Sequence, residues 1–190
     1  MLESLLTEIR QCTVCEPHLP LGANPVIRAH SAAKILIIGQ APGTKVHQTS
    51  IPWNDASGER LRQWLGLDRE AFYCQENIAI MPMGLCYPGK GRSGDLPPRK
   101  ECAPLWHAKV LEQLPNRQLT LLIGQYAQHY YLSDKPSTLT ETVQQWQRWA
   151  PSVLPLPHPS PRNTLWLRNH PWFEQDIVPY LRQRVKQVLT

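Results

Sequence analysis

Nowhere in these 190 residues does an apolar run approach the ~20 residues that a membrane-spanning helix needs. No segment repeats at a solenoid period, and no low-complexity tract interrupts the chain. The opening stretch "MLESLLTEIRQC" carries acidic residues and lacks a basic segment followed by an apolar one, so it does not read as a signal peptide. No membrane association and a cytoplasmic location are therefore expected. Acidic residues are the scarcer charge, 15 against 20 Lys and Arg. The net charge of +5 and a pI of about 9.1 suit an anionic partner such as nucleic acid, and equally a mildly basic soluble enzyme. Cysteines number only five. In a reducing compartment they should not form structural disulfides, which leaves metal binding or simple burial.

What is present suits one α/β domain over residues 1–190. A hydrophobic fraction of 42% is enough for a normal core and excludes a disordered chain. "LESLLTEIRQC" has apolar residues at helical spacing and predicts an amphipathic helix. It opens a Cys-bearing helix and loop covering residues 1–33. "AKILIIG" and "LTLLIG" read as short buried strands, each ending in Gly-Gln, as Gly39-Gln40 and Gly124-Gln125. "QENIAIMPMG" and "SVLPLPHPSP" supply two further strands. Helices are expected over "SGERLRQWLGL", with Ser57 as N-cap, over "ECAPLWHAKVLEQL", and over the basic C-terminal "HPWFEQDIVPYLRQRVKQVL". Strands alternating with helices predict a mainly parallel sheet covered on both faces, with its ligand crevice beyond the carboxyl ends of the strands. The nineteen prolines concentrate in loops, which makes the connections rigid.

Two post-strand turns then stand out, "GQAPG" at 39–43 and "HPSPRN" at 158–163. The first is no phosphate loop, because it lacks the Walker spacing and its Lys-Ser/Thr pair, and it is no dinucleotide fingerprint. A glycine-rich turn of this kind still aims backbone N–H groups at a ligand. Pro42 fixes its own φ, and Gly43 permits close approach. Between the two turns lies "PWNDASG".

In order and spacing these motifs resemble the uracil-DNA glycosylase superfamily, and most of all its iron–sulfur, or family 4, branch. That branch's G-E-A-P-G, followed by P-F and a small residue-Gly pair, lies over "GQAPGTKVHQTSIPWNDASG" without a gap. The resemblance runs from Cys12 to the helix after His158. It implies a three-layer α/β/α sandwich around a central, mainly parallel four-stranded sheet. It also implies an enzyme that flips a base out of DNA and hydrolyses its N-glycosidic bond. Gln40 and Asp55 would then handle water, and His158 would donate toward the developing negative charge on the base. Ala41, Pro42, Gly43, Trp53 and Met83 would form the base pocket, with Trp53 at the position of the family's stacking Phe. Ser57, Gly58, Arg92, Ser160, Pro161, Arg162 and Asn163 would contact DNA. Asp55 has a second reading, as a cap of the helix that follows it.

Cys12 and Cys15 form C-x2-C, and "YPGKGRSGDLPPRKE" separates Cys86 from Cys102. Four thiolates suit a [4Fe–4S] cluster or a structural zinc; the resemblance favours the cluster, in a structural role. Cys74 is left over and reads as a buried thiol.

Two positions depart from the branch. Gln40 stands where family 4 has Glu, and an amide cannot act as a carboxylate base. Pro82 stands where an Asn would pair with the uracil edge, and no Asn or Gln lies in "IMPMGLC". The function expected is excision of uracil or another deaminated or damaged base from DNA, by a monomer. The alternatives are a DNA- or lesion-binding protein of the same fold without catalysis, and a hydrolase of free nucleosides or nucleotides.

Overall fold

The computed structural model describes residues 1–190. Six strands are formed: β1 Ile35–Ile38, β2 Ile78–Ile80, β3 Lys90–Gly91, β4 Gly94–Asp95, β5 Leu119–Ile123 and β6 Val153–Leu156. Nine α-helices surround them: α1 Leu2–Arg10, α2 Thr44–Thr49, α3 Ala56–Leu65, α4 Arg69–Phe72, α5 Ala108–Glu112, α6 Gln125–Tyr131, α7 Leu139–Gln144, α8 Thr164–Asn169 and α9 Val178–Leu189. The central sheet is wholly parallel, in the order β2-β1-β5-β6. The four strand candidates of the sequence are its four members. No helix is long and apolar enough to cross a membrane.

The sheet has helices on both faces because its strands are apolar on both. In β1, Ile35 and Ile37 pack into one core with Leu61, Leu65, Phe173, Leu181 and Val185. Leu36 and Ile38 point the other way, toward Leu6, Ile9, Val110 and Ala127. All four side chains of the strand are buried. A four-residue strand with no polar face is the mark of a parallel sheet between two helix layers. The result is the expected α/β/α arrangement.

Buried Gln128, on α6, donates from Nε2 to the carbonyls of Leu122 and Leu156 at 3.0 and 2.9 Å. It thereby ties the ends of β5 and β6 together at the rim of the crevice. The N-cap of α3 is Asp55 rather than Ser57: its carboxylate accepts from the Gly58 N–H at 2.9 Å. The charged side chain wins because it sits at the positive end of the helix with the first free N–H within reach. "ECAPLWHAKVLEQL" and the C-terminal segment each begin with a wider π turn, at Ala103–His107 and Phe173–Ile177, before the α-helix proper. Between Cys86 and Cys102, β3 and β4 make a small antiparallel hairpin that strand periodicity does not announce.

Candidate active site

One cavity, of about 690 Å³, opens beyond the carboxyl ends of the sheet. Every strand of the sheet ends in it: Gly39 and Gln40 follow β1, Pro82 follows β2, Gly124 and Gln125 follow β5, and Pro157 and His158 follow β6. This is where parallel sheets present ligands, since strand-end backbone groups point outward unpaired. Its volume falls in the ordinary range for small-molecule sites.

The floor is Trp53. Its φ of 60° lies in the left-handed region, an uncommon conformation for a bulky residue. Four groups hold it there. The Arg62 guanidinium donates to the Trp53 carbonyl at 3.1 Å, and the Tyr73 hydroxyl donates to the neighbouring Pro52 carbonyl at 2.7 Å. Gly58 lets the start of α3 approach, because a β-carbon there would stand 1.7 Å from the Trp53 oxygen. Gly39 lets the indole lie against the end of β1, since its β-carbon would come within 2.8 Å of the ring. The glycine that ends the strand is thus required by the aromatic residue fourteen positions later. The strained backbone at Trp53 is over-determined by its surroundings, as functional strain has to be.

His158 packs on Trp53, with ring centroids 5.6 Å apart and planes inclined by 34°. The Ser160 N–H donates to its Nδ1 at 3.2 Å. A backbone N–H cannot accept, so the neutral ring carries its proton on Nε2. Burial depresses its pKa from 6.5 to about 4, while the nearby Asp55 carboxylate pulls the other way. His158 is therefore a neutral N–H donor at physiological pH. Asn163 fixes the turn by donating to the His158 carbonyl at 2.8 Å, and Arg60 reaches from α3 to the Ser160 carbonyl at 3.3 Å.

The turn at 39–43 is held from the β2 side. Met83 N–H donates to the Gly39 carbonyl at 2.9 Å, and Gly84 N–H to the Gln40 carbonyl at 3.0 Å. Behind this contact, buried His107 donates from Nε2 to the Pro82 carbonyl at 2.9 Å, and its Nδ1 faces the Tyr131 hydroxyl at 2.5 Å. Burial lowers the His107 pKa to about 4 as well. The backbone at position 82 is thereby pinned, and no side-chain amide is present there.

Of the residues singled out in the sequence, Gln40, Ala41, Pro42, Gly43, Trp53, Asp55, Ser57, His158, Ser160, Arg162 and Asn163 all line this cavity. Met83, Gly58, Arg92 and Pro161 do not. Met83 is buried in the core around α1 and α5, and Gly58 supports Trp53 from behind. Arg92 is exposed on the turn of the hairpin. The Arg162 guanidinium is engaged within the chain, donating to the Ser93 carbonyl. Ser160 Oγ accepts from the Arg162 N–H at 3.2 Å. Several residues of the cavity were not anticipated: Lys90 and Asp95 on the hairpin, and Gln125 at the start of α6. The signal for the hairpin was available in "GKGRSGD", a glycine-flanked polar turn.

All five cysteines are free, and Cys74 is partly rather than fully buried. Burial raises the thiol of Cys86 to about 11, and the charges of Cys102, Cys12 and Cys15 add to the effect. The thiol of Cys102 is likewise raised, first by burial and then by Cys15 and Cys12. The four are within electrostatic reach of one another, and four thiols are a donor set that suits an iron–sulfur or zinc centre. As the side chains stand, no group of three or more His, Cys, Asp or Glu is arranged to hold a metal ion.

The profile of the Uracil DNA glycosylase superfamily matches residues 28–182. The chain belongs to that superfamily. It is also similar to the type-4 uracil-DNA glycosylase of Thermotoga maritima, with 22% identity over 162 residues that cover 84% of this chain and 82% of that protein. Membership supports a uracil-DNA glycosylase-like role, in general that of a DNA glycosylase hydrolysing N-glycosyl bonds. The matched segment takes in all four strands of the sheet, Trp53 and His158, so every lining residue of the cavity except Val26 lies in the family's own region.

Proposed function

We propose that this protein is a glycosylase that removes uracil or another deaminated or damaged base flipped out of DNA. The observation that carries the reading is His158: a half-buried neutral imidazole with Nε2–H free to donate, packed on Trp53 at the strand ends. Cleavage of an N-glycosidic bond leaves negative charge on the departing base. A fixed neutral donor aimed at that charge lowers the barrier without a proton having to move first. Trp53 supplies a flat apolar surface beside the donor for the flipped base. Water is handled by Gln40 and Asp55. Asp55 also caps α3 and its charge acts on His158, which supports a role for this carboxylate near the sugar of a base held at His158. Its negative charge would offset cationic character on the sugar.

The four cysteines Cys12, Cys15, Cys86 and Cys102 would hold an iron–sulfur cluster. The support is the four free thiols, whose charges act on Cys86 and Cys102, together with the type-4 relative. When bound, such a centre supplies a rigid tether. It would tie the loop after α1 to the segment carrying the hairpin, and the reaction would not pass through it.

A base-excision panel with oligonucleotides holding uracil, hypoxanthine, xanthine or an oxidised pyrimidine tests the reading. Product from at least one base, strongly reduced in His158→Ala, is expected. Gln40 favours a second reading, a lesion-binding protein without catalysis, since the amide cannot take a proton. Tight, salt-sensitive binding to an abasic oligonucleotide with no product from any base would establish that one instead. Weak, salt-insensitive binding would point to a hydrolase of free nucleosides.

A further inference from the structure

Position 82 offers no side chain to read the base, yet the opposite rim of the cavity does. Lys90 and Asp95 are cross-strand partners in the β3–β4 hairpin, so their side chains rise from the same face of it. Both line the cavity. Oδ2 of Asp95 lies 3.6 Å from the place a β-carbon on Gly43 would occupy, so the carboxylate hangs over the closing glycine of GQAPG. The salt bridges of the chain lie elsewhere, at Arg99–Glu101 and Arg148–Asp134, so Lys90 and Asp95 stand side by side without being consumed by each other.

The hairpin is aimed by its attachment. Arg162, from the turn that carries His158, donates to the Ser93 carbonyl and packs on Gly94, which latches the hairpin across the cavity mouth. The two carboxylates of the cavity are thereby separated by role. The Asp55 charge acts on His158, whereas burial raises the Asp95 carboxyl and the charges of Arg162 and Lys90 pull it back down. A base that turned its sugar-proximal side toward His158 and Asp55 would present its far edge to the hairpin.

We propose that Asp95 and Lys90 read that far edge as an acceptor–donor pair, Asp95 accepting from a ring N–H and Lys90 donating to the adjacent carbonyl oxygen. The inference rests on the flipped-base site proposed above and names what that site selects. An N–H beside a C=O is the lactam edge that deamination creates in uracil and hypoxanthine. Cytosine and adenine present the reverse, a bare ring nitrogen beside an amino group. Against these, both members of the pair face their own kind: the carboxylate meets a lone pair and the ammonium meets N–H. Rejection of the undeaminated base thus comes from unpaired and repelled polar groups, which discriminate more sharply than shape. Thymine and guanine carry the same lactam edge, and the pair does not separate them from uracil or hypoxanthine.

The test measures binding rather than excision. Oligonucleotides with a non-hydrolysable 2′-fluoro nucleotide holding uracil, cytosine, hypoxanthine or adenine are titrated against the full chain, beside one holding a tetrahydrofuran abasic analogue. Wild type should prefer uracil over cytosine, and hypoxanthine over adenine, by roughly 100-fold. Asp95→Ala and Lys90→Met should each lower both ratios about tenfold and leave the abasic affinity within about twofold. Asp95→Asn, which keeps an acceptor oxygen, should retain more of the preference than Asp95→Ala. Equal binding of the paired bases by wild type, or ratios unchanged in both variants, would overturn the proposal. Excision is scored separately. A preference that the variants reduce, without any product, keeps the edge-reading pair and removes the glycosylase; product with insensitive ratios does the reverse.

Discussion

The two walls of the cavity are made in different ways. The wall bearing His158, Trp53 and the GQAPG turn grows directly from the sheet, and nearly every piece of it is fixed by a backbone hydrogen bond or a close approach. The wall bearing Lys90 and Asp95 hangs on a hairpin of two-residue strands between two cysteines, latched by one arginine. On the function proposed above, chemistry that needs a donor placed to a fraction of an ångström would sit on the first. Recognition, which tolerates longer and softer side chains, would sit on the second. The comparison teaches that the proposed reaction and the proposed choice of base are separable by mutation, since different parts of the chain would carry them.

Removing the donor from the rigid wall should have the largest effect. His158→Ala is expected to lower the single-turnover excision rate by about 10²–10³ while leaving affinity for an abasic oligonucleotide nearly unchanged. Next comes the support under Trp53. Gly58→Ala forces a β-carbon into the Trp53 carbonyl and should cost about 2–3 kcal/mol. A drop in Tm of roughly 5–10 °C in calorimetry checks it. On the suspended wall the effect should be smaller and of another kind. Cys102→Ser should abolish any broad thiolate-to-iron absorption near about 400 nm. It should also reduce the uracil-over-cytosine preference more than the excision rate. A larger fall in rate than in preference would break the division of labour.

The pH dependence of stability tests the rigid wall and the support behind it. His107 and His158 both have pKa values depressed to about 4 from 6.5. Below about pH 6.5 the unfolded chain takes up protons that the folded chain refuses, so stability is full above that pH and declines toward pH 4. The slope is at most about 1.4 kcal/mol per pH unit for each histidine. Urea midpoints between pH 7 and 5 should show it, and His107→Asn should reduce it.

The rigid wall was largely legible in the sequence, and the suspended one was not. β1, β2, β5 and β6 announce themselves because a parallel strand buried on both faces is a short, continuous apolar run. Gln40 and His158 could be placed because each follows such a run at short distance, whereas Trp53 and Asp55 were placed by the resemblance of "PWNDASG" to the family's motif. The hairpin escaped because two-residue strands are shorter than any hydrophobic period. Lys90 and Asp95 stand in the stretch between Cys86 and Cys102, where no apolar run marks an approach to the cavity. Gln125 was noticed for the Gly-Gln it shares with Gln40, yet nothing local said that both would face one cavity; the adjacency of β1 and β5 is a tertiary fact. The choice of Asp55 over Ser57 as cap turned on which oxygen reaches the Gly58 N–H, and spacing alone does not decide that.

The order β2-β1-β5-β6 has a consequence for how the molecule comes into being. No two neighbours in this sheet are joined by a tight turn, and the central pair brings Ile35 against Leu119. Contacts of such long range make for slow folding, because loop-closure entropy must be overcome before any pairing rewards it. On a growing chain the strand that ends in GQAPG waits for its inner partner, and β6, which delivers His158, is the last strand to be made. The cavity is therefore completed near the end of synthesis, and a chain cut short before β6 lacks His158 altogether.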